Sequence, residues 1–199
     1  MQLAKLKLIL PILGDLANGV FAVTVAAYLF EIDIQWWHLA ASTIFSLLPD
    51  VDALPELLLH GAVGKKQVNS KLPTNHRSFM HYPALYLIFG LLLYSWDQFW
   101  GVTFIGAITL HFLRDVLGTG WGIKLLWPVS YKNYKFMSSG ANSMHSARSF
   151  ADSEIPEIAS TQGNSNWLED TYLRFTWISC IEYTLFVVAV GLVAWHLLY

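Results

Sequence analysis

Apolar residues in this chain form long runs that short polar segments separate. The runs cover 8–30, 36–48, 83–96, 99–116 and 175–198, and the second is the shortest. A helix needs roughly 20 apolar residues to cross the hydrocarbon of a bilayer. Only Asp97 and Gln98 separate the third and fourth runs, which predicts a helical hairpin with a tight turn. We therefore predict an all-α, multi-pass membrane helical bundle of about five spans, built as a single domain over residues 1–199.

Composition supports a membrane protein and argues against a soluble domain and against a nucleic-acid-binding protein. Hydrophobic residues make up 55% of the chain and charged residues 13%, whereas about 25% of residues are charged in soluble domains. The mean hydropathy is +0.44. A net charge of −2 gives no reason to expect nucleic-acid binding, which usually needs a basic domain. The single cysteine, Cys180, excludes an intrachain disulfide.

The distribution of Lys and Arg predicts how the spans are oriented. Basic residues lie before the first run, between the second and third, and between the fourth and fifth, whereas segments 31–35 and 97–98 contain none. Cytoplasmic loops of membrane proteins retain Lys and Arg. We therefore predict a cytoplasmic N-terminus and a polar cytoplasmic face. The polar segment 129–170, rich in Ser, Asn and Gly near its middle, is predicted to be a loop that could act as a lid.

Six metal-binding side chains lie at or near the ends of the apolar runs. They are Asp50, Asp52, His76, His81, His111 and Asp115. Ionisable groups at the edge of a membrane span are costly and by default suggest function. His111 and Asp115 are four residues apart, so on a helix they share one face. Imidazole and carboxylate donors together suit zinc, manganese or iron more than calcium, and six donors suffice for one or two ions.

Each pair of these residues also has a plainer interpretation. Asp50 and Asp52 follow Pro49 and could simply form a helix-ending turn, and His111 with Asp115 could be a buried structural pair. The metal site is favoured because three acidic residues and three histidines would otherwise each need a separate compensation for desolvation.

The order and spacing of four motifs resemble one family. The motifs are L-L-P-D-V-D, H-R-S-F-M-H, H-F-L-R-D-V-L-G-T-G-W-G and L-L-W-P-V-S, within about residues 38–136. Together they resemble the YdjM-like inner-membrane metal-dependent hydrolases, which are often likened to zinc-dependent phospholipases C. The chain departs from the family at Ser78, Phe79 and Met80, where members commonly have a glycine and a serine or threonine. This departure retains the ligands but could alter the substrate pocket.

The resemblance implies a metal-dependent hydrolase in a bacterial inner membrane. We expect zinc, with manganese as a second candidate, to be held by the six residues, and Asp52 could instead be the general base. Arg77 and Lys124 are predicted to neutralise a phosphate. Trp121, Trp127 and Tyr131 could mark the interface where a lipid headgroup rests. The expected partners are membrane lipids, and the expected substrate is a lipid or lipid-linked phosphoester.

Two other functional classes remain open on the sequence alone. A metal ion transporter could line its path with polar residues inside the spans, among them Asp15, Asn18, His111 and Asp115. Nearly all the candidate donors lie on one side of the membrane, which favours a site over a path, but Asp15 is an exception. A non-enzymatic membrane protein with a structural metal site is the third class.

Overall fold

A computed structural model describes residues 10–53, 77, 79–118, 120–136, 138–140, 143–145, 148–155 and 169–198. The chain divides into two compact units, one drawn from Met1–Leu47, Ile88–His111 and Asn166–Tyr199 and the other from Leu48–Leu87 and Phe112–Ser165. Each unit is described by itself below. The prediction of one domain over 1–199 stays a prediction.

The described residues are mostly helical, which confirms the predicted fold class. The helices are α1 (Leu10–Phe30), α2 (Trp36–Leu47), α3 (Pro83–Trp96), α4 (Gln98–Leu117) and α5 (Trp177–Leu198). The strands are β1 (Asn133–Lys135), β2 (Ser138–Gly140), β3 (Ser143–His145) and β4 (Arg148–Phe150). Short 3-10 turns cover Leu48–Ala53, Phe79–His81 and Asp152–Glu154, and a π-helical turn covers Glu169–Leu173.

Three of the described helices are long and apolar enough to cross a membrane: Ile12–Phe30 within α1, Gln98–Leu117 and Trp177–Leu198. Helix α3 is apolar but has 14 residues, and α2 has 12. At a rise of about 1.5 Å per residue these two helices span about 21 Å and 18 Å, less than the roughly 30 Å of hydrocarbon. The prediction of about five spans therefore stays a prediction for these two segments.

In the first unit, small side chains let α1 pack closely on α2. A Cβ at Gly19 would lie 2.6 Å from the carbonyl oxygen of Ser42, so only glycine fits at this crossing. Such close approach at small residues is typical of helices that pack inside membranes. The apolar core of the unit lies along α1, where Ala17, Val23 and Ala26 are fully buried.

The turn between α3 and α4 has the form that the sequence predicts. Asp97 separates the two helices, and its carboxylate accepts a hydrogen bond from the backbone N–H of Trp100 at 3.0 Å. This contact caps the N-terminus of α4, where the first backbone N–H groups have no partner within the helix.

In the second unit, segment 129–170 contains strands where a loop was predicted. β1 pairs with β4 in antiparallel register, with Asn133 opposite Phe150, and β2 pairs with β3. The backbone N–H of Phe136 donates to the carbonyl of Val116, which ties the end of β1 to the end of α4. The loop prediction was therefore wrong for these residues. Residues 156–168 lie outside the described part of the chain, and the lid stays a prediction.

Candidate metal centre

A short turn after α2 presents the two aspartates of the P-D-V-D motif. Helix α2 ends at Leu47, just before Pro49, and the chain continues as the 3-10 turn Leu48–Ala53. Proline lacks the backbone N–H that would continue the α-helix. In the second unit this turn contacts the second 3-10 turn, Phe79–His81, at whose end His81 is fully buried.

Three carboxylates surround the imidazole of His81. Asp50 Oδ1 and Asp115 Oδ2 each lie 3.4 Å from Nε2, whereas Asp52 Oδ2 lies 3.4 Å from Nδ1. Burial alone would lower the pKa of His81, but the contacts with Asp50 and Asp52 and the charge of Asp115 outweigh it and raise this pKa. Asp50 and Asp52 therefore approach opposite nitrogens of one ring, a detail that their spacing did not predict.

Arg77 supplies a fixed positive charge beside this cluster. Its guanidinium lies 2.5 Å from Asp115 Oδ1 and 5.8 Å from the centre of the Trp121 ring. The chain passes close by at Gly120, which adopts a φ of +87°; a Cβ there would collide with the Arg77 guanidinium. Arg77, predicted to neutralise a phosphate, is therefore engaged by a carboxylate in this structure.

Lys135 is a buried neighbour of the cluster that the sequence did not single out. Its Nζ donates hydrogen bonds to the backbone carbonyls of Asp115, at 3.3 Å, and of Gly118. It thereby supplies a donor to carbonyls at the end of α4, which have no partner within the helix. Burial lowers the pKa of Lys135 to about 7, and the charge of Arg77 adds to this effect while Asp115 opposes it. The contact joins β1 to α4, and no local motif indicates it.

In the first unit, His111 on α4 contacts a carboxylate from α1. Its Nδ1 lies 2.8 Å from Asp15 Oδ1, and both residues are 3% exposed. On α4 itself, His111 precedes Asp115 by one turn, as the four-residue spacing predicts. His76, the remaining predicted ligand, lies outside the described residues.

Lys124 is engaged elsewhere in the second unit. Its Nζ donates to Asp152 Oδ2 at 2.6 Å, and the side-chain amide of Asn133 donates to the other oxygen of the same carboxylate at 2.8 Å. Burial would lower the pKa of Lys124, but the hydrogen bond and charge of Asp152 raise it. Asp152 was not identified from the sequence, because it lies in the segment expected to be a loop.

A sequence model described as YdjM inner membrane protein matches residues 11–198. The chain belongs to this family. The resemblance found in the four motifs is therefore confirmed at the level of the family, and the match extends well beyond residues 38–136. No curated protein and no solved structure matches the chain. Family membership and the three long apolar helices together identify a membrane protein.

The aromatic residues predicted for a lipid interface have different environments in this YdjM-family protein. The Trp127 ring stacks on Tyr82 with centroids 4.9 Å apart, and Trp121 lies beneath Arg77. Tyr131 is 66% exposed. Tyr131 is thus the most exposed of the three.

The residues of the second unit fit a divalent metal ion. Asp50 and His81 each offer a ligand atom within 4.8 Å of the other. The 3.4 Å separations from Nε2 to Asp50 and Asp115 match the edge of a tetrahedron of about 3.4 Å that follows from metal–ligand bonds of about 2.1 Å. Imidazole nitrogen with carboxylate oxygen is a donor set that suits zinc or manganese.

Proposed function

We propose that this protein is a membrane-bound metal-dependent hydrolase that acts on a phosphoester at the cytoplasmic membrane surface. The observation that carries the proposal is the convergence of Asp50, Asp52 and Asp115 on the buried imidazole of His81. A lipid or lipid-linked phosphate is the proposed substrate, because the chain belongs to an inner membrane protein family.

The charge of the cluster supports a cation with two positive charges. The three carboxylates contribute −3 and Arg77 contributes +1, so with a neutral His81 these five groups sum to −2. Buried or half-buried charge of one sign is costly unless an opposite charge balances it. One divalent ion would bring the sum of these five groups to zero.

The geometry suggests different roles for the three aspartates. Asp50 and Asp115 face Nε2 of His81, so these three groups are the proposed metal-binding set in the second unit. Asp52 faces Nδ1 and is placed to accept its proton, which would orient the ring. His76 and His111 stay predicted ligands, the latter through its spacing from Asp115 on α4.

When bound by these residues, a divalent ion would supply Lewis acidity and so would allow water to act as a nucleophile near neutral pH. The chain's own groups would then bind and orient the substrate. Arg77 has the planar donor fork that matches phosphate oxygens. The Asp50 side chain is 38% exposed, whereas His81 is fully buried, so Asp50 lies on the side of the cluster from which a substrate can approach.

The structure weakens one argument for a transporter. Asp15 was the polar residue that suggested a path through the spans, but it contacts His111 at 2.8 Å. Asp15 therefore has a partner among the predicted ligands and need not mark a separate binding position along a path.

The test is metal analysis of detergent-purified protein, followed by hydrolysis assays with bis-p-nitrophenyl phosphate and with phospholipid vesicles. We expect about one or two zinc or manganese ions per chain and phosphoester hydrolysis that a chelator abolishes. Asp115→Asn should lose both, and Asp152→Asn, a carboxylate change outside the cluster, should retain metal. Protein that binds no divalent metal would overturn the proposal. Stoichiometric metal with no hydrolysis of either substrate would favour a structural site.

A further inference from the structure

Asp15 is a carboxylate inside an apolar helix, and it contacts one of the predicted metal ligands. It lies on α1, and its Oδ1 is 2.8 Å from His111 Nδ1 on α4. We propose that Asp15 is a positioning residue that accepts the Nδ1 proton of His111 and so presents Nε2 as the donor to a divalent metal ion. This inference rests on the proposed function, since it requires that the protein binds a divalent metal ion.

The proposed role of Asp15 implies one tautomer of His111. An ionised carboxylate only accepts hydrogen bonds, so the proton of the contact must be on Nδ1 of His111. A neutral imidazole has one N–H, which leaves the lone pair on Nε2. Histidines that bind metals commonly donate their second N–H to a carboxylate, which fixes the ring and makes it a stronger ligand.

The surroundings of Asp15 hold its carboxylate in place. The side-chain amide of Asn18 donates to Asp15 Oδ1 at 3.5 Å, one turn along α1. From α2, Ser46 Oγ donates to the backbone carbonyl of Asp15 at 2.5 Å. The carboxylate is thus attached to a helix that is itself fixed by the close packing at Gly19, so it can hold the His111 ring at a defined angle.

The second unit repeats this arrangement with different residues. Asp52 lies 3.4 Å from Nδ1 of His81, while Asp50 and Asp115 lie on the Nε2 side of that ring. Each of the two predicted histidine ligands within the described residues therefore has an aspartate at Nδ1. If the contact between α1 and α4 were only structural, there would be no reason for the aspartate to face Nδ1 in both His111 and His81.

The first experiment measures zinc affinity by competition with a chelator of known affinity. Asp15→Asn keeps the volume but loses the negative charge, and Asp15→Leu removes the acceptor entirely. We expect zinc binding to weaken about 10-fold in the first variant and about 100-fold in the second. Ser179→Ala is the matched control, because Ser179 is buried in the same unit and its hydroxyl donates to the carbonyl of Thr176 rather than to Asp15 or His111; its zinc affinity should match the wild type. Equal affinity in both Asp15 variants and the wild type would overturn the inference.

The second experiment needs no metal. In metal-free protein with ¹⁵N-labelled histidine, the His111 side-chain resonances, assigned with His111→Gln, should show a proton on Nδ1. A proton on Nε2 with a bare Nδ1 would overturn the inference. The two proposals fail in different ways: if the wild type binds no zinc, the proposed function fails, whereas wild-type binding that is unchanged in Asp15→Leu contradicts the role of Asp15 alone.

Discussion

Asp50→Asn should separate metal binding from stability. The substitution removes one charge and one ligand oxygen while it keeps the side-chain shape. Asp50 is 38% exposed, so solvent screens its contact with His81, and exposed pairs of this kind contribute about 0.2–1 kcal/mol. Asp50 also repels the two neighbouring carboxylates, which opposes that contribution. The free energy of unfolding of the metal-free protein should therefore change by less than about 1 kcal/mol.

The expected loss of metal affinity is larger. Loss of a carboxylate that only orients a ligand costs about 10- to 100-fold, so loss of a ligand oxygen should cost at least about 100-fold, which corresponds to about 2.8 kcal/mol. At a zinc concentration 100 times the wild-type dissociation constant, bound metal stabilises the wild type by about 2.7 kcal/mol. The same concentration should stabilise Asp50→Asn by only about 0.4 kcal/mol.

Thermal unfolding in detergent, followed by the fluorescence of the nine tryptophans, measures both quantities. The zinc-induced shift of the unfolding midpoint in Asp50→Asn should be about one-seventh of the wild-type shift. Asp152→Asn, a change of the same type in the same unit, should show the full shift. The reasoning would be refuted if the free energy of unfolding of metal-free Asp50→Asn fell by more than about 2 kcal/mol while the full zinc-induced shift remained. Asp50 would then have a structural role.

Three further predictions concern pH and topology. The carboxylates raise the pKa of His81 above its ordinary 6.5, so protons should displace zinc as the pH falls through that raised value; equal zinc retention in dialysis at pH 8 and pH 5 would contradict this. Burial lowers the pKa of Lys135 from 10.5 to about 7 in the folded protein. Because the unfolded state binds more protons between these two values, the free energy of unfolding of the metal-free protein should rise from pH 7 to 9.5. Lys135→Met should lack that part of the rise in the same unfolding measurements. A cysteine placed at the exposed Lys132 should react with impermeant reagents from the cytoplasmic side only, and labelling from the opposite side would reverse the predicted orientation.

The long helices could be predicted closely because local sequence determines them. The apolar run 99–116 corresponds to Gln98–Leu117, and 175–198 corresponds to Trp177–Leu198. The strands of the second unit could not be predicted in this way. Each has three residues, and Asn133 pairs with a residue 17 positions later, Phe150. So short a strand has no period of its own, and it forms only because its partner is present.

The sequence also predicted part of the candidate site. The positions of Asp50, His81 and Asp115 at the ends of apolar runs indicated that they would meet, and the structure brings them together. It could not indicate which nitrogen of His81 each carboxylate approaches, since that depends on the packing of two 3-10 turns. The sequence did not indicate Lys135 either. Its acceptors are backbone carbonyls at the end of a helix, and any residue type can supply a backbone carbonyl.

Asp15 and Asp52 each face Nδ1 of a histidine, and this contact affects how much it costs to bury their charge. Asp15 is almost fully buried in α1, and a carboxylate at such a position persists only where an interaction compensates its desolvation. A neutral histidine compensates a carboxylate weakly, but a histidine that also binds a cation becomes a stronger donor at its second nitrogen. A cation bound by a histidine would thus strengthen the contact of that histidine with its aspartate, His111 with Asp15 in the first unit and His81 with Asp52 in the second.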